Sequence, residues 1–415
     1  MVNVVVVGGG AAGFFGAIAS AEANPGARVL LLEAARQPLT KVRISGGGRC
    51  NVTHACFDPA LLVQNYPRGG KALRGAFSRF QPQDTVNWFA ARGVTLKTEA
   101  DGRMFPVTDD SATIADCLLH AAQDARVDLR TGVAVQQVEV SEHGFSLQLR
   151  SGQEIHCDRL LLATGSNPNG YAIARHLGHT IHPPVPSLFT FNLRDARLEG
   201  LAGVAVPNVH LRLQVGDLPA FEQTGALLIT HWGVSGPAVL KLSAWAARAL
   251  HDHHYQATLR INWVPQSKPD ALRQQLQAVR SQLARKTVTA NCPVMIPRRL
   301  WEKLTTHVGI QAGDADGNGD RWAELSNKTL NALLHELTQG QYTVQGKGVF
   351  KDEFVTCGGV DLKEVDFKTL QSRRCPGLYL AGEILDIDGI TGGFNFQSAW
   401  TTGWLAGQAI GAGRS

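Results

Sequence analysis

Cysteine is sparse and scattered in this 415-residue chain: Cys50, Cys56, Cys117, Cys157, Cys292, Cys357 and Cys375. An odd number without regular spacing excludes a disulfide framework. Cys50 and Cys56 lack C-x-x-C spacing, so a dithiol redox centre is not expected. Histidine and cysteine do not gather at zinc-ligand spacings, so no metal is expected. No stretch approaches the ~20 apolar residues of a membrane span. The N-terminus lacks the basic stretch of a secretory signal, so cytoplasm is the expected location. Charged residues make up only 18% and the net charge is +5, which permits an anionic partner without requiring one. No motif points to a stable protein partner.

What is present is a globular composition, 44% hydrophobic, long enough for two or three domains. Its most informative segment comes first. Val4-Val5-Val6-Val7 runs into Gly8-Gly9-Gly10-Ala11-Ala12-Gly13, and Arg28-Val29-Leu30-Leu31-Leu32 ends in Glu33. This is strand, glycine turn, small-residue helix, strand and acid. Gly8 suits the tight turn, Gly10 admits a diphosphate against backbone N–H groups, and Gly13 lets the helix lie close on the sheet. Glu33 suits an adenosine ribose and favours FAD or NAD over NADP.

Downstream, Gln83 to Gly93 reads as a helix with a glycine cap, and Gly102–Pro106 as a turn into an N-cap at Ser111. Strands are expected around Val133–Val140 and Phe145–Arg150, and a buried parallel strand at Arg159–Leu162 leading to Ala163-Thr164-Gly165. Pro183-Pro184-Val185-Pro186 reads as a domain boundary. Half-buried antiparallel strands follow at Phe189–Leu193, Asn208–Val215 and Ala257–Trp263, with a helix at Ala238–Leu250 entered through Pro237. Lys268 to Gln339 is helical in pattern. Its interruption at Gly313–Asp320 lacks the register of a calcium loop and reads as a polar turn. The α/β style returns at Gly377–Glu383 and in a small-residue helix after Gly393, so both chain ends are expected in one domain.

Further segments look like cofactor contacts. In Lys41–Asn51 the triple glycine Gly46-Gly47-Gly48 lets backbone approach a flat ring, and Ser45, Arg49 and Asn51 supply donors. Asp388 suits a ribityl chain, and the helix N-terminus after Gly393 suits a negative flavin N1–C2=O edge. A second G-x-G-x-x-G with a downstream acid is missing, so a dedicated nicotinamide domain is not expected and NADH or NADPH would dock transiently.

These segments together resemble FAD flavoproteins of the glutathione-reductase-like class. More narrowly, Lys41–Asn51, Gly102–Pro106, His231–Pro237, Val355–Asp366 and Gly382–Gly393 resemble the HI0933-like flavoprotein family nearly end to end. The resemblance implies an α/β fold: a discontinuous FAD-binding Rossmann-like domain with an inserted antiparallel β-barrel and a helical subdomain. The expected bounds are 1–187 with 346–415 for the FAD domain, 188–265 with about 340–346 for the barrel, and 266–339 for the helices. FAD is expected at Gly8, Gly10, Ala11, Ala12, Gly13, Glu33 and Ala34, then at Lys41, Ser45, Gly46, Gly47, Arg49, Cys50 and Asn51. Val135, Ala163, Thr164, Gly165, Gly382, Glu383, Asp388, Gly393, Phe394, Asn395 and Phe396 complete the set. The short stretch Ser166–Gly170, where longer relatives carry a glycine- and serine-rich segment, alters the substrate side.

Candidates for moving a proton or orienting substrate are Arg49, Cys50, Asn51 and His231. Cys50 reads either as a proton donor or as a small packing residue, and His231 either as a cavity residue or as a structural turn residue. The resemblance implies reduction of activated C=C bonds, oxidation of small amines, or dihydrouridine formation in ribosomal RNA. Between Gln266 and Lys303, eight basic residues face two acids, which suits either an RNA backbone or a solvated face. The leading expectation is an FAD-dependent oxidoreductase using NADH or NADPH to reduce an electron-poor double bond in a small molecule or in RNA. An O2-dependent amine oxidase and a non-catalytic, flavin-containing RNA-binding protein are the alternatives.

Overall fold

The computed structural model describes residues 2–313, 318–348 and 355–413. Asp314–Gly317, the middle of the polar turn, lie outside the described residues. The chain divides into two compact units, 1–186 with 354–415, and 187–353.

The first unit is built on a seven-stranded sheet. Its core is parallel: Asn3–Val7 lies between Arg28–Glu33 and Arg159–Leu162, and Leu378–Leu380 flanks the latter. These strands are runs of valine and leucine because they are buried between the N- and C-terminal helices and the three-stranded sheet formed by Val135–Ser141, Gly144–Leu149 and Glu154–Cys157. Val4–Val7, Leu30–Leu32 and Leu160–Leu162 are all buried. The N-terminal helix, Ala11–Ala23, packs on the C-terminal helix, Phe394–Gly411. A Cβ on Gly403 would collide with the Ala12 carbonyl, and one on Gly407 with that of Gly16. Small residues therefore set how closely the two helices approach.

Two local expectations are corrected, and the proline run read as a boundary ends where the two units divide. Arg103–Pro106 is not a turn but the middle strand of a three-stranded sheet, between Thr53–His54 and Leu96–Thr98. It forms a hairpin with Leu96–Thr98 around Gly102 and pairs on its other side with the more distant Thr53–His54, so local Gly and Pro mark only its ends. The helix cap is Asp110, whose carboxylate accepts from Ala112 N at 2.8 Å; Ser111 is the first helical residue and donates to Arg43 O. The proline run lies within a strand, Ile181–Ser187, paired with Val355–Val360. Prolines are tolerated there because a two-stranded sheet has only edges.

The second unit is a closed six-stranded barrel with helices on it. Strand order is Phe191–Leu193, Gly233–Ser235, Phe221–Ile229, Ala205–Gln214, Ala257–Asn262 and Gly340–Lys347. Val209, Leu211 and Leu213 point into the core, and Arg212 is exposed between them. Helices Pro269–Gln282, Arg298–His307 and Asn327–Gln339 share the barrel's hydrophobic core, in which Trp263, Trp301, Trp322 and Tyr342 are fully buried.

One buried cation ties the barrel to its last helix. Arg197 holds Asp195 at 2.6 and 2.8 Å, Glu336 at 2.9 and 3.1 Å and the Gln341 carbonyl, with its guanidinium 3.7 Å from the Tyr342 ring centroid. Removing it leaves a buried carboxylate uncompensated. Arg197→Ala is expected to cost about 3–5 kcal/mol, read as a lower urea midpoint; an unchanged midpoint would show the cluster to be energetically idle.

In the first unit, Ser372 Oγ, His179 and Glu364 form a buried relay, with contacts of 2.9 Å at His179 Nε2 and 3.1 Å at Nδ1. Burial lowers the His179 pKa from 6.5 against the pull of Glu364. Burial works to raise that of Glu364, but hydrogen bonds from Thr180, Arg374 and His179 outweigh it and bring the group below 4.5. Both folded values lie below the unfolded ones, so the unfolded chain binds more protons on acidification. Stability is therefore expected to fall as pH drops below 6.5, and again below 4.5. Thermal melts across pH 4–7 test this, with His179→Gln flattening the upper part of the profile.

Candidate cofactor and active site

The glycine turn is shaped by contacts rather than composition. Gly8 has φ +111°, and a Cβ on Gly13 would strike the Gly8 carbonyl. Gly10 caps the N-terminal helix with φ −93°, and a Cβ there would meet nothing within 4 Å. No side chain caps this end, and its first turn holds no acid. Its unpaired N–H groups and the helix dipole suit a diphosphate. Glu33 is aimed by the same turn: Oε2 accepts from Gly9 N at 2.6 Å and Oε1 from Ala35 N at 2.7 Å. A carboxylate so held keeps lone pairs for ribose hydroxyls. Ala34 beside it is exposed.

The segment Ser45–Asn51 forms a second cradle. Helix Thr40–Gly48 breaks at Ser45, and Gly46, Gly47 and Gly48 take left-handed backbone. Open space faces Gly47 and Gly48, whereas a Cβ on Gly46 would sit 2.9 Å from the Phe105 ring. Ser45 Oγ donates to Val42 O. Arg49 lies 4.0 Å over Phe105 and pairs with Glu99 at 2.6 Å and Asp109 at 3.5 Å. Cys50 is fully buried, and burial pushes its thiol up to about 12. It stays protonated and has no solvent-facing proton to give, so the packing alternative fits it. Asn51 donates from its amide to Thr53 O at 3.1 Å and accepts from Gly393 N at 3.0 Å.

The C-terminal segment closes on these two. Glu383 Oε2 pairs with Lys41 at 2.5 Å, and Oε1 accepts from Thr356 N at 2.9 Å. Lys41 also reaches Ser166 Oγ. A Cβ on Gly382 would sit 2.8 Å from Ala12 Cβ, and one on Gly165 3.7 Å from Glu383. Ala163 is buried, and Thr164 Oγ1 is buried with no hydrogen-bond partner among the described residues. The Val135 carbonyl is occupied by Asn169 Nδ2. Phe394 stacks on His54 at 4.6 Å, Asn395 ties both backbone groups of Gly389, and Phe396 stacks on Trp400. The helix that follows Gly393 also has neither a capping side chain nor an acid in its first turn.

Asp388 differs from its expected role. It is completely buried and both carboxylate oxygens pair with Arg68, so the side chain fixes the Arg68 segment against the C-terminal loop. Arg68 and Tyr66, whose hydroxyl donates to Phe394 O, were not legible as site residues because each acts across more than 300 residues, and Thr356 because it acts through its backbone N–H. His231 belongs to the other unit, exposed in the turn after Phe221–Ile229 beside the exposed Trp232. The remaining expected residues all lie in the first unit.

The open cradles at Gly10, Gly47 and Gly48, two helix N-termini free of side-chain caps, the oriented Glu33 and the orphaned Thr164 hydroxyl fit a flavin dinucleotide. Fold and site define an FAD-dependent oxidoreductase of Rossmann type. The model of the HI0933-like protein Rossmann domain matches residues 2–409, and the chain belongs to that family.

The chain is 30% identical to 3-dehydro-bile acid delta(4,6)-reductase of Clostridium scindens, with 99% of each chain covered. It is 33% identical to a ribosomal RNA dihydrouridine synthase of Escherichia coli, covering 100% of this chain and 99% of the other. Among solved structures, a Rhodococcus jostii 3-ketosteroid-delta4-(5alpha)-dehydrogenase superposes with a TM-score of 0.52 at 14% identity, over 100% of this chain and 97% of that one. A Sterolibacterium denitrificans 3-ketosteroid delta1-dehydrogenase gives 0.51 at 14% identity over the whole of both chains. These two likenesses concern the fold. No helix among the described residues is long and apolar enough to cross a membrane.

Gly10→Val separates folding from cofactor binding. The residue's φ is ordinary and its Cβ meets no protein atom, so the fold is expected to persist. The added methyls fill the diphosphate cradle, so the purified variant is expected to be colourless with a wild-type circular dichroism spectrum. A yellow variant would place the diphosphate elsewhere.

Proposed function

We propose that the protein reduces a C=C bond conjugated to a carbonyl, that NADH or NADPH supplies the electrons by transient docking, and that the substrate is uridine in ribosomal RNA. The observation that carries this reading is the end-to-end similarity to two relatives whose names describe one chemistry. The bile acid reductase and the dihydrouridine synthase both saturate a double bond in an electron-poor system. A basic helical surface favours RNA over a steroid-like substrate: Lys268, Arg273, Arg285, Lys286, Arg298, Arg299 and Lys303 are all exposed.

Bound FAD supplies the two-electron reduction of the double bond. The chain's own residues hold, orient and protonate. The amides at Gly10–Gly13 and the Glu33 carboxylate hold the two ends of the adenosine diphosphate moiety. The Lys41–Glu383 pair, braced by Thr356 N, keeps the Gly382 segment against Ala12. Asn51 holds the amide of Gly393, the residue before the C-terminal helix, so in this reading it positions rather than transfers a proton. Arg49, anchored on Phe105 and Glu99, orients the substrate carbonyl by its charge. His231 is the proposed proton carrier, since general acids of this type contribute ~10²–10⁴-fold.

Anaerobic mixing with NADH or NADPH is expected to bleach the flavin, and ribosomal RNA lacking dihydrouridine is expected to restore its colour. His231→Gln should retain FAD, bleach normally and reoxidise at least ~10²-fold more slowly. Failure of both nucleotides to bleach the flavin would overturn the reductase reading. Peroxide release with a small amine would then establish the oxidase alternative.

A further inference from the structure

The barrel carries a polar cleft of about 350 Å³ on its outward surface, lined by His210, Arg212, Glu222, Arg260, Asn262 and Thr338 among others. Strand alternation explains the placement. Leu211, Leu213, Leu259 and Ile261 are buried in the barrel, so the residues between them face outward. The register then sets Arg212 directly opposite Arg260 on one side and Glu222 on the other.

Like charges paired across adjacent strands destabilise a sheet. Glu222 is the one carboxylate among the lining residues, and it is shared: it lies 3.6 Å from Arg212 and 3.6 Å from His210. Arg260 makes no ion pair among the described residues. Two arginines directly opposite on adjacent strands, their Cβ atoms about 5 Å apart, with an excess of positive charge, can offer both guanidinium groups to one tetrahedral oxyanion. Asn262 and the Thr338 hydroxyl add neutral hydrogen-bonding groups. The cleft belongs to the same unit as the exposed basic residues. Asn262 precedes Lys268, where the exposed basic residues begin, by six positions, and the helix carrying Thr338 packs on helix Pro269–Gln282.

We infer that the Arg212–Arg260 cleft is a phosphodiester-binding site that seats the backbone of the RNA substrate on the barrel. This rests on the RNA reading above and adds where the strand is held. The cleft binds backbone rather than bases, because its groups are charged forks without an aromatic platform.

The test measures binding of fluorescein-labelled fragments of ribosomal RNA to the FAD-loaded enzyme over a range of salt. Arg212→Gln and Arg260→Gln are each expected to weaken binding ~3- to 10-fold and to reduce the salt slope by up to about one. Arg260→Lys, which keeps the charge but loses the fork, should fall between wild type and Arg260→Gln. Bleaching by NADH or NADPH should be unchanged, since these exposed residues serve no part of the flavin site. Arg150→Gln, a change of equal charge at an exposed position in the first unit, should leave RNA binding unaltered. If wild type binds RNA and both cleft variants match it in affinity and slope, the cleft assignment is overturned and the proposed function stands. The same holds if Arg150→Gln weakens binding as much as they do, which would reveal net charge alone. If wild type binds no RNA, the assignment and the RNA reading both fail.

Discussion

The contact between the N-terminal and C-terminal helices governs the site. Gly403 and Gly407 bring the second helix down onto the carbonyls of Ala12 and Gly16, at a separation any larger side chain would forbid. That approach fixes the Gly382 segment against Ala12 and, through it, the Lys41–Glu383 pair. In the proposed reading, two helix N-termini without side-chain caps would serve one ligand, one offering amides to the diphosphate and the other a positive dipole end to the ring system. Neither terminus could be neutralised by a capping acid without forfeiting that role.

Legibility followed the range over which each residue acts. The turn at Gly8–Gly13 and the acid at Glu33 could be read because strand, turn, helix and strand are consecutive, and spacing alone carries the geometry. The triple glycine could be read because left-handed backbone at Gly47 and Gly48 is a local demand. Asp388 was read as a cofactor ligand because its neighbours are glycines; its partner Arg68 lies 320 residues away and left no trace in the local pattern. Arg103–Pro106 was read as a turn because the glycine before it and the proline at its end dominate the local pattern, although it pairs with both Leu96–Thr98 and the more distant Thr53–His54. Cys50 lies in a loop of donors, yet the fold turns it inward on a left-handed backbone.

The two units manage buried charge by the same means. Arg197 is encircled by two carboxylates, a carbonyl and an aromatic face, and Glu364 by a hydroxyl, an amide, an imidazole and a guanidinium. Each satisfied group would be costly if one partner left, so these clusters act as pins between elements distant in sequence. The barrel's outer row follows a different rule: there Arg212 and Arg260 face each other without a matching pair of acids, a pattern that interior clusters avoid.

The first unit is assembled from 1–186 and 354–415, with a complete barrel domain encoded between them. During translation the ribosome therefore delivers the inserted unit whole while the other still lacks three strands of its seven-stranded sheet and the helix that seats on Ala12. Leu378–Leu380 and Phe394–Gly411 follow the barrel in the chain. Until they emerge, the nascent protein carries half a nucleotide pocket, and coenzyme capture waits on residues encoded beyond a whole inserted domain.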